Sequence, residues 1–217
     1  MKKSTFSYEK RLRDNYLILN SQPQHAEGLA SLQREVFPLL SDEEIFRTRH
    51  YLKHIEVFPE GQFVVLDGDR IIASTTTVQT HYMTEPHTFL KASGNLVLSN
   101  HNPEGDWLYG LDVGVQKQYR GKGLGKELYR ARQELVRYLG LKGQITVGMI
   151  NGYHKVKDRM TQEEYFEKLK KGSLNDPTVS YQQRMGFRIK GLIHDYCNDP
   201  TCGNCGVLLT MKADHVI

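Results

Sequence analysis

A glycine-rich segment between a predicted strand and a predicted helix constrains the fold of this chain more than any other feature. The segment is Tyr119-Arg-Gly-Lys-Gly-Leu-Gly125. Apolar side chains alternate with small or polar ones over residues 107–115, which is the period of a β-strand. Leucine and alanine recur at helical spacing over residues 124–139, and Gly140 is a typical helix stop. The sequence therefore predicts a strand, a tight turn and a helix in direct succession.

A glycine-rich turn that opens a helix is suited to bind a phosphate. Its backbone N–H groups lack partners and lie at the positive end of the helix dipole. The dipole contributes about 0.3 to 2 kcal/mol, so several N–H hydrogen bonds must supply most of the affinity. We therefore expect this turn to hold a pyrophosphate.

Two common phosphate-binding motifs do not fit the segment. A Walker loop needs Ser or Thr after its lysine, whereas Glu127 follows Lys126. A dinucleotide-binding turn needs G-x-G-x-x-G spacing and an acidic residue about twenty positions on, and residues 141–146 offer none. From this segment alone, a flexible turn before an ordinary helix stays open as an alternative.

Arg120-Gly-Lys-Gly-Leu-Gly125 matches the Arg/Gln-x-x-Gly-x-Gly/Ala signature of the GNAT superfamily of acetyl-CoA-dependent N-acetyltransferases. Val113-Gly-Val115 with Tyr119 resembles that family's fourth strand, and Met185-Gly-Phe187 resembles its later Gly-Phe pair. The resemblance implies an α/β fold, in which a mixed central sheet of six to seven strands splays between strands 4 and 5 and is flanked by helices. The order of predicted elements agrees with that fold over residues 16–212.

Further short sequence motifs resemble one subgroup of this superfamily, whose members are often fused to a nitrilase-like amidohydrolase domain. These are Asn100-His-Asn-Pro-Glu-Gly-Asp106, Gly152-Tyr-His-Lys155, Glu163-Glu-Tyr165 and Asp176-Pro177. We expect residues 1–14 to form a flexible or helical arm and residues 15–217 to form a single acetyltransferase domain.

Composition limits the partners. The formal net charge of the 217 residues is +4, and no lysine-rich stripe with interleaved aromatics indicates nucleic-acid binding. The longest apolar runs are too short to cross a bilayer, and no apolar stretch follows the basic start, so we expect neither a membrane partner nor a secretory signal. A cytoplasmic location is the resulting expectation.

The resemblance implies that acetyl-CoA is the cosubstrate, with its pyrophosphate on residues 120–126 and its pantetheine along the fourth strand. The expected cofactor-binding residues are Val113, Gly114, Val115, Arg120, Gly121, Lys122, Gly123, Leu124, Gly125, Lys126 and Asn151. The implied activity is transfer of the acetyl group to a primary amine of a small molecule or peptide. A homodimer is a further option for the assembly.

The expected catalytic residues are Asp112, Tyr153 and His154. Asp112 and, next, His154 are candidate bases, because an amine is mostly protonated at neutral pH and must lose a proton. The alternative for Asp112 is an ion pair with a neighbouring arginine. The family's usual proton-donating tyrosine corresponds to Gln182, and Tyr181 is expected to point elsewhere on the helix. Either Tyr153 is the replacement donor, or coenzyme A leaves as a thiolate that solvent protonates. The alternative function is a non-catalytic acyl-CoA-binding or interaction module.

Two other segments leave alternatives open. The polar residues 153–159 lie in an insertion from Asn151 to Lys171, which forms either one wall of the acceptor pocket or a surface elaboration. His194, Cys197, Cys202 and Cys205 have zinc-ligand residue types, but a single C-x-x-C is a weak signal. Reduced cysteines in a turn are the favoured interpretation, so we assign no metal.

Overall fold

Ten strands form two sheets of five in the computed structural model, which describes residues 6–83 and 85–217. One sheet has the order β1-β2-β3-β4-β7, and the other has the order β5-β6-β8-β10-β9. The strands are β1 Glu9–Arg11, β2 Leu17–Asn20, β3 Phe63–Asp67, β4 Arg70–Thr75, β5 Thr77–Thr80, β6 Trp107–Gly110, β7 Gly114–Val115, β8 Gly143–Met149, β9 Arg188–Ile193 and β10 Gly206–Lys212.

Six α-helices pack against these sheets in the described ranges. They are α1 Ala26–Val36, α2 Thr48–Val57, α3 Phe89–Ala92, α4 Leu124–Leu139, α5 Gln162–Lys170 and α6 Val179–Arg184. The longest, α4, lies between two glycines in the left-handed conformation, Gly123 at φ 83° and Gly140 at φ 69°. Its leucine stripe is buried, as the periodicity predicts.

The two sheets separate at a break in one extended segment. β6 pairs in parallel with β8 through Leu108, Tyr109 and Gly110 and belongs to the second sheet. β7 then pairs with β4 in the first sheet. Residues 111–113 cross between the sheets, so the strand predicted over 107–115 is interrupted at its centre. This divergence is the splay expected between the fourth and fifth strands.

The helices cover opposite faces of this segment. A Cβ at Gly114 would point at Val36 of α1, whereas one at Gly110 would run into Arg132 of α4. On β8, a Cβ at Gly148 would meet Gln182 of α6. Helix α1 therefore covers one face, and α4 and α6 cover the other.

The GNAT-type α/β fold expected from the sequence is confirmed. Its strands number ten because β1 is added at one edge of the expected seven and because the break divides two extended segments, β4–β5 and β6–β7. In the expected N-terminal arm, residues 1–5 lie outside the described residues, while Glu9–Arg11 pair with residues 17–19 as an edge strand. None of the described helices is both long and apolar enough to span a membrane.

Candidate active site

The glycine-rich loop has the conformation that its sequence requires. Gly121 and Gly123 have φ values of 80° and 83°, a region that other L-residues avoid. A Cβ at either position would meet no heavy atom within 4 Å, so conformation and not crowding calls for glycine here. The first N–H groups of α4 have no partner inside the helix, as at every helix N-terminus. The loop thus presents open backbone donors at the start of a sixteen-residue helix.

Basic side chains surround this loop. The Arg120 Nε donates to the Val115 carbonyl over 3.2 Å, which ties the loop back to β7. Lys122 donates to the Tyr16 hydroxyl over 2.7 Å and lies 3.8 Å from the Asp14 carboxylate. The hydrogen bond to Tyr16 is the main reason that the pKa of Lys122 is raised. The lysine therefore stays positively charged beside the proposed pyrophosphate position.

Asp112 lies in the crossing segment between the two sheets. Its Oδ1 accepts the Thr76 N–H over 2.6 Å, and its backbone carbonyl accepts the Thr75 hydroxyl over 2.6 Å. The residue is half-buried, but its Oδ2 is closed to solvent and has no hydrogen-bond partner. Burial raises the pKa of Asp112 to about 7, against the opposing effects of the Thr76 hydrogen bonds and the Arg132 charge. A carboxyl with that pKa can exchange a proton near neutral pH.

Arg132 of α4 is a second charged group beside the break. Its side chain is fully buried, and none of its three guanidinium nitrogens has a hydrogen-bond partner. The guanidinium lies over the Tyr129 ring, 5.0 Å from the ring centroid. Burial lowers the pKa of Arg132 to about 10, while the charges of Tyr129 and Asp112 act in the opposite direction. Asp112 is the nearby acid that affects this pKa, yet no ion pair joins the two residues.

The sequence prediction overlooked Arg132, although its spacing carried a signal. The residue follows Leu128 by four positions and precedes Leu135 by three, so it falls on the buried stripe of α4. A charged residue on the apolar stripe of an amphipathic helix is rare unless it has a partner or a function. The alternative that Asp112 forms an ion pair with an arginine is not realised in the described residues.

Helix α6 places Gln182 and Tyr181 beside α4. The Gln182 Nε2 donates to the Tyr129 hydroxyl over 3.2 Å, and its Oε1 has no partner. Tyr181 faces the start of α4, away from Gln182: its hydroxyl would lie 3.2 Å from a Cβ at Gly125. Burial raises the pKa of Tyr181, so its hydroxyl keeps its proton. The helix turns Tyr181 and Gln182 towards different parts of α4.

The expected pantetheine-binding residues lie along the break. Val113 is half-buried in the crossing segment, and Gly114 and Val115 form β7. Asn151 lies farther away, just after β8, where its Nδ2 donates to the Thr178 hydroxyl over 2.9 Å. That hydrogen bond connects the end of β8 to the start of α6. A direct contact between Asn151 and a cofactor stays a prediction.

Tyr153 and His154 lie in a short 3₁₀ turn after β8. The Tyr153 hydroxyl donates to the Met160 carbonyl over 3.1 Å, and the ring is nearly buried against Tyr165. The exposed His154 has its Nδ1 2.7 Å from the Asn151 carbonyl. Neither side chain hydrogen bonds to Asp112 or to the glycine-rich loop. Their catalytic roles stay predictions.

The insertion that carries these residues is closed by Asp176. One carboxylate oxygen accepts the Gly152 N–H over 2.8 Å and the Tyr165 hydroxyl over 2.9 Å. The other accepts the N–H groups of Thr178 and Val179 over 2.8 and 3.0 Å. A single buried carboxylate therefore holds the start of the insertion, α5 and the start of α6 together.

A closely packed cluster of polar residues lies beneath α1 and α2, with no room for a water molecule between its members. It includes Tyr51 and His54 of α2 and residues 74–76 at the junction of β4 and β5. Thr76, whose N–H binds the Asp112 carboxyl, belongs to this cluster. The Tyr51 hydroxyl donates to Gln33 over 3.0 Å, and the buried His54 has its Nδ1 without a partner.

The cysteine and histidine residues form two separate contacts. The Cys205 Sγ lies 3.3 Å from the His194 Nδ1, and the Cys197 Sγ lies 3.8 Å from the Cys202 Sγ. Within residues 6–83 and 85–217, no group of three or more histidine, cysteine or acidic side chains could hold a metal ion.

Comparison with known proteins identifies relatives over most of the chain. The profile of the acetyltransferase (GNAT) family matches residues 26–155. An uncharacterized N-acetyltransferase of Bacillus subtilis, YkwB, is 32% identical over 213 residues, which are 97% of this chain and 94% of that protein. The probable hydrolase YhcX of the same organism is 33% identical over 193 residues, or 88% of this chain. The chain spans only 37% of YhcX, which agrees with the expected resemblance to a subgroup with fused members.

The fold also matches solved structures. The GphF GNAT-like decarboxylase in complex with isobutyryl-CoA superposes with a TM-score of 0.79. That match covers 90% of this chain and 98% of the other, at 20% sequence identity. The loading GNATL domain of CurA from Lyngbya majuscula gives the same TM-score at 19% identity, over 93% of this chain and 99% of the other. At these identities, the likeness concerns the fold alone.

Proposed function

Because the chain belongs to the acetyltransferase (GNAT) family, we propose that it transfers the acetyl group of acetyl-CoA to a primary amine of a small molecule or a peptide. The observation that carries the proposal is the position of Asp112. Its enclosed carboxyl lies at the break in the sheet, in the segment that leads to the glycine-rich loop. On the other side, its Thr76 partner belongs to the polar cluster beneath α1 and α2.

In this proposal, the cofactor extends from the loop into the break. Backbone N–H groups of residues 121–126 bind the pyrophosphate, and Lys122 adds positive charge. The pantetheine runs along residues 113–115, where the extended segment no longer pairs with β8. A backbone N–H of this segment then stabilises the negative charge that develops on the thioester oxygen.

Asp112 acts as the general base for the amine. An amine with a pKa near 10.4 must lose a proton before attack, at a cost of roughly 4 to 5 kcal/mol at neutral pH. A carboxyl with a pKa of about 7 is half deprotonated at pH 7, and the fraction able to accept that proton grows above this pH. The nitrogen then attacks the thioester carbon, and coenzyme A leaves as a thiolate.

The thiolate needs a proton, and two tyrosines are candidates. Tyr153 is the donor predicted from the sequence, but its hydroxyl is already hydrogen-bonded to Met160. Tyr181 faces the first turn of α4 and retains its proton, so it is the second candidate. His154 is kept as a second candidate base in the acceptor pocket, and Asn151 as a cofactor contact.

The acceptor enters from the α1 and α2 face in this proposal. The insertion over residues 151–171 forms one wall of its pocket. Residues 15–217 act as a single domain, without nucleic-acid or membrane partners and in the cytoplasm, and a homodimer is the proposed assembly.

The test is release of coenzyme A from acetyl-CoA across a panel of amines, amino acids and peptides, followed by mass analysis of the acceptor. We expect turnover with at least one acceptor and a large loss of turnover in Asp112→Asn. Asp106→Asn is the matched control, because Asp106 is paired with Lys142 before β6 and away from the break. Binding of acetyl-CoA without turnover of any acceptor would instead support the non-catalytic acyl-CoA-binding module.

A further inference from the structure

Arg132 is a buried charged residue that forms no hydrogen bond with any group of the proposed acetyl-transfer mechanism, although its charge opposes the rise in the pKa of Asp112. All three of its nitrogens are buried without a hydrogen-bond partner, and the residue has no solvent exposure. A guanidinium carries five N–H donors in a planar fork that matches a carboxylate. An unpaired buried charge is costly, so its retention needs a compensating partner. The aromatic face of Tyr129 supplies only part of that compensation.

The guanidinium lies at the closed end of the splay. The guanidinium occupies the place where a side chain of Gly110 would be. Gly110 and Thr146 are the last residue pair between β6 and β8. Beyond this residue pair the two strands diverge and form the proposed acyl-CoA site. A thioester held along residues 113–115 therefore directs its acyl chain towards Gly110 and the guanidinium.

The other groups near this end are also incompletely bonded. Asp112 Oδ2 and Gln182 Oε1 are buried and unpartnered, and Gln182 lies against Gly148 on the opposite strand. These polar atoms come from α4, α6 and the crossing segment. The two oxygens are hydrogen-bond acceptors when Asp112 is ionised, so the guanidinium is the donor in this group. The methyl of an acetyl group leaves that donor unpaired, whereas an acyl carboxylate would pair with it.

We propose that Arg132 binds a carboxylate at the far end of the acyl chain, so that the preferred donor is a short dicarboxylic acyl-CoA. The inference rests on the proposed function, since it requires a CoA thioester in the splay, and it specifies the class of acyl group. In this proposal, the bound carboxylate belongs to the acyl-CoA and not to the amine that accepts the acyl group. Arg132 lies on the α4 face with the glycine-rich loop, whereas in the proposed function the acceptor enters from the α1 and α2 face.

Calorimetric titration of the whole chain tests the proposal. The ligands are coenzyme A, acetyl-CoA, malonyl-CoA and succinyl-CoA, with butyryl-CoA as an uncharged acyl chain similar in length to malonyl. We expect malonyl-CoA or succinyl-CoA to bind the wild type at least about tenfold more tightly than butyryl-CoA, which corresponds to a differential of about 1.4 kcal/mol. Arg132→Met keeps most of the length without the charge, so it should abolish the difference while coenzyme A still binds. Arg132→Lys should retain part of it.

The outcomes separate the two proposals. Equal binding of the charged and uncharged acyl chains by the wild type overturns the role of Arg132, even if Arg132→Met does not fold. The role of Arg132 is also overturned if the ratio of the affinities for charged and uncharged acyl chains is the same in the wild type and in Arg132→Met. Failure of coenzyme A and all its thioesters to bind overturns the proposed function itself. Binding of acetyl-CoA without discrimination leaves that function intact and removes only the acyl specificity.

Discussion

Gly110 and Arg132 share one volume: the guanidinium of Arg132 fills the space that a side chain at residue 110 would need. The two residues come from β6 and α4 and are separated by a strand break, the glycine-rich loop and two helical turns. Glycine at position 110 is therefore a packing requirement of the arginine, because even a methyl group would overlap it.

This relationship predicts the effect of Gly110→Ala. The added methyl must displace a buried guanidinium, so we expect a loss of about 1 to 3 kcal/mol in the free energy of unfolding. Gly191→Ala is the matched control, since Gly191 is also in a strand of the second sheet and its Cβ would meet nothing within 4 Å. Urea denaturation of both variants checks the prediction. Equal losses in the free energy of unfolding for the two variants would contradict the conclusion that the guanidinium fills the space next to residue 110.

A double-mutant cycle refines the same test. If the overlap with the guanidinium is the cause, Gly110→Ala should cost less in the Arg132→Met background than in the wild type, because a flexible thioether adapts more easily. Additive effects of the two changes would show that they act independently.

The two ends of α4 provide a controlled test of the cofactor site. Gly123 and Gly140 are both left-handed, and neither has a crowded Cβ position. Alanine at either site should cost a similar 1 to 2 kcal/mol or so of stability. Only Gly123→Ala should weaken acetyl-CoA binding, because only the N-terminal end presents N–H groups to the pyrophosphate. We expect Gly123→Glu to abolish binding through charge repulsion, as measured by calorimetry. Equal acetyl-CoA affinities for Gly123→Ala and Gly140→Ala would exclude the loop as the binding site.

Asp112 should make stability depend on pH. Its pKa is raised to about 7 in the folded chain, above that of an unfolded aspartate, so the folded state binds the proton more tightly. The free energy of unfolding should therefore fall as pH rises from about 4 to about 7. Thr76, Arg132, Tyr51 and Tyr129 surround the group, and the two tyrosines stay neutral because burial raises their pKa values.

Asp112→Asn removes this titration. Relative to the wild type, the variant should gain stability as pH rises, by on the order of 2 kcal/mol between about pH 4 and about pH 8. Thermal denaturation of both proteins across that range measures the difference. A constant difference at all pH values would mean that Asp112 ionises normally.

The proton donor can be assigned by comparing two tyrosines. If Tyr181 protonates the leaving thiolate, Tyr181→Phe should lower kcat by about 10²-fold or more and leave the affinity for acetyl-CoA nearly unchanged. Tyr153→Phe, which also removes one hydroxyl, is the comparison, and it should mainly reduce stability through the lost bond to Met160. A large kcat effect in Tyr153→Phe alone would support the donor predicted from the sequence.

His154 gives a direct test of the acceptor wall. If the insertion lines the pocket, His154→Ala should lower kcat/KM for the amine while leaving the affinity for acetyl-CoA unchanged. The exposed His154 has little packing to lose, so its stability should stay near that of the wild type. Unchanged kcat/KM in both His154→Ala and Tyr153→Phe would assign the insertion to a surface elaboration.

Local patterns predicted the elements that depend on local chemistry. The glycine-rich loop and the leucine stripe of α4 are found where the sequence predicted them. Contacts between distant residues are different: the carboxylate of Glu44 accepts the N–H of Asn198, which a local pattern could not reveal.

The site itself depends on contacts between distant residues. The break at residues 111–113 arises because β7 exchanges partners between sheets, and strand periodicity carries no information on such an exchange. The orientation of Tyr181 depends on how α6 packs against α4. Arg132 was detectable as a charge on a buried stripe, but its relation to Gly110 required the structure.

The carboxylate of Asp176 has a consequence for how this chain can diversify. Because it binds both Gly152 and the start of α6, the two ends of the insertion are fixed to the same point. Lengthening a loop whose ends are already joined costs little entropy. Residues between those ends can thus be added, deleted or exchanged in evolution or in the laboratory while β8 and α6 keep their positions. The segment is a natural place to graft new recognition onto an unchanged framework.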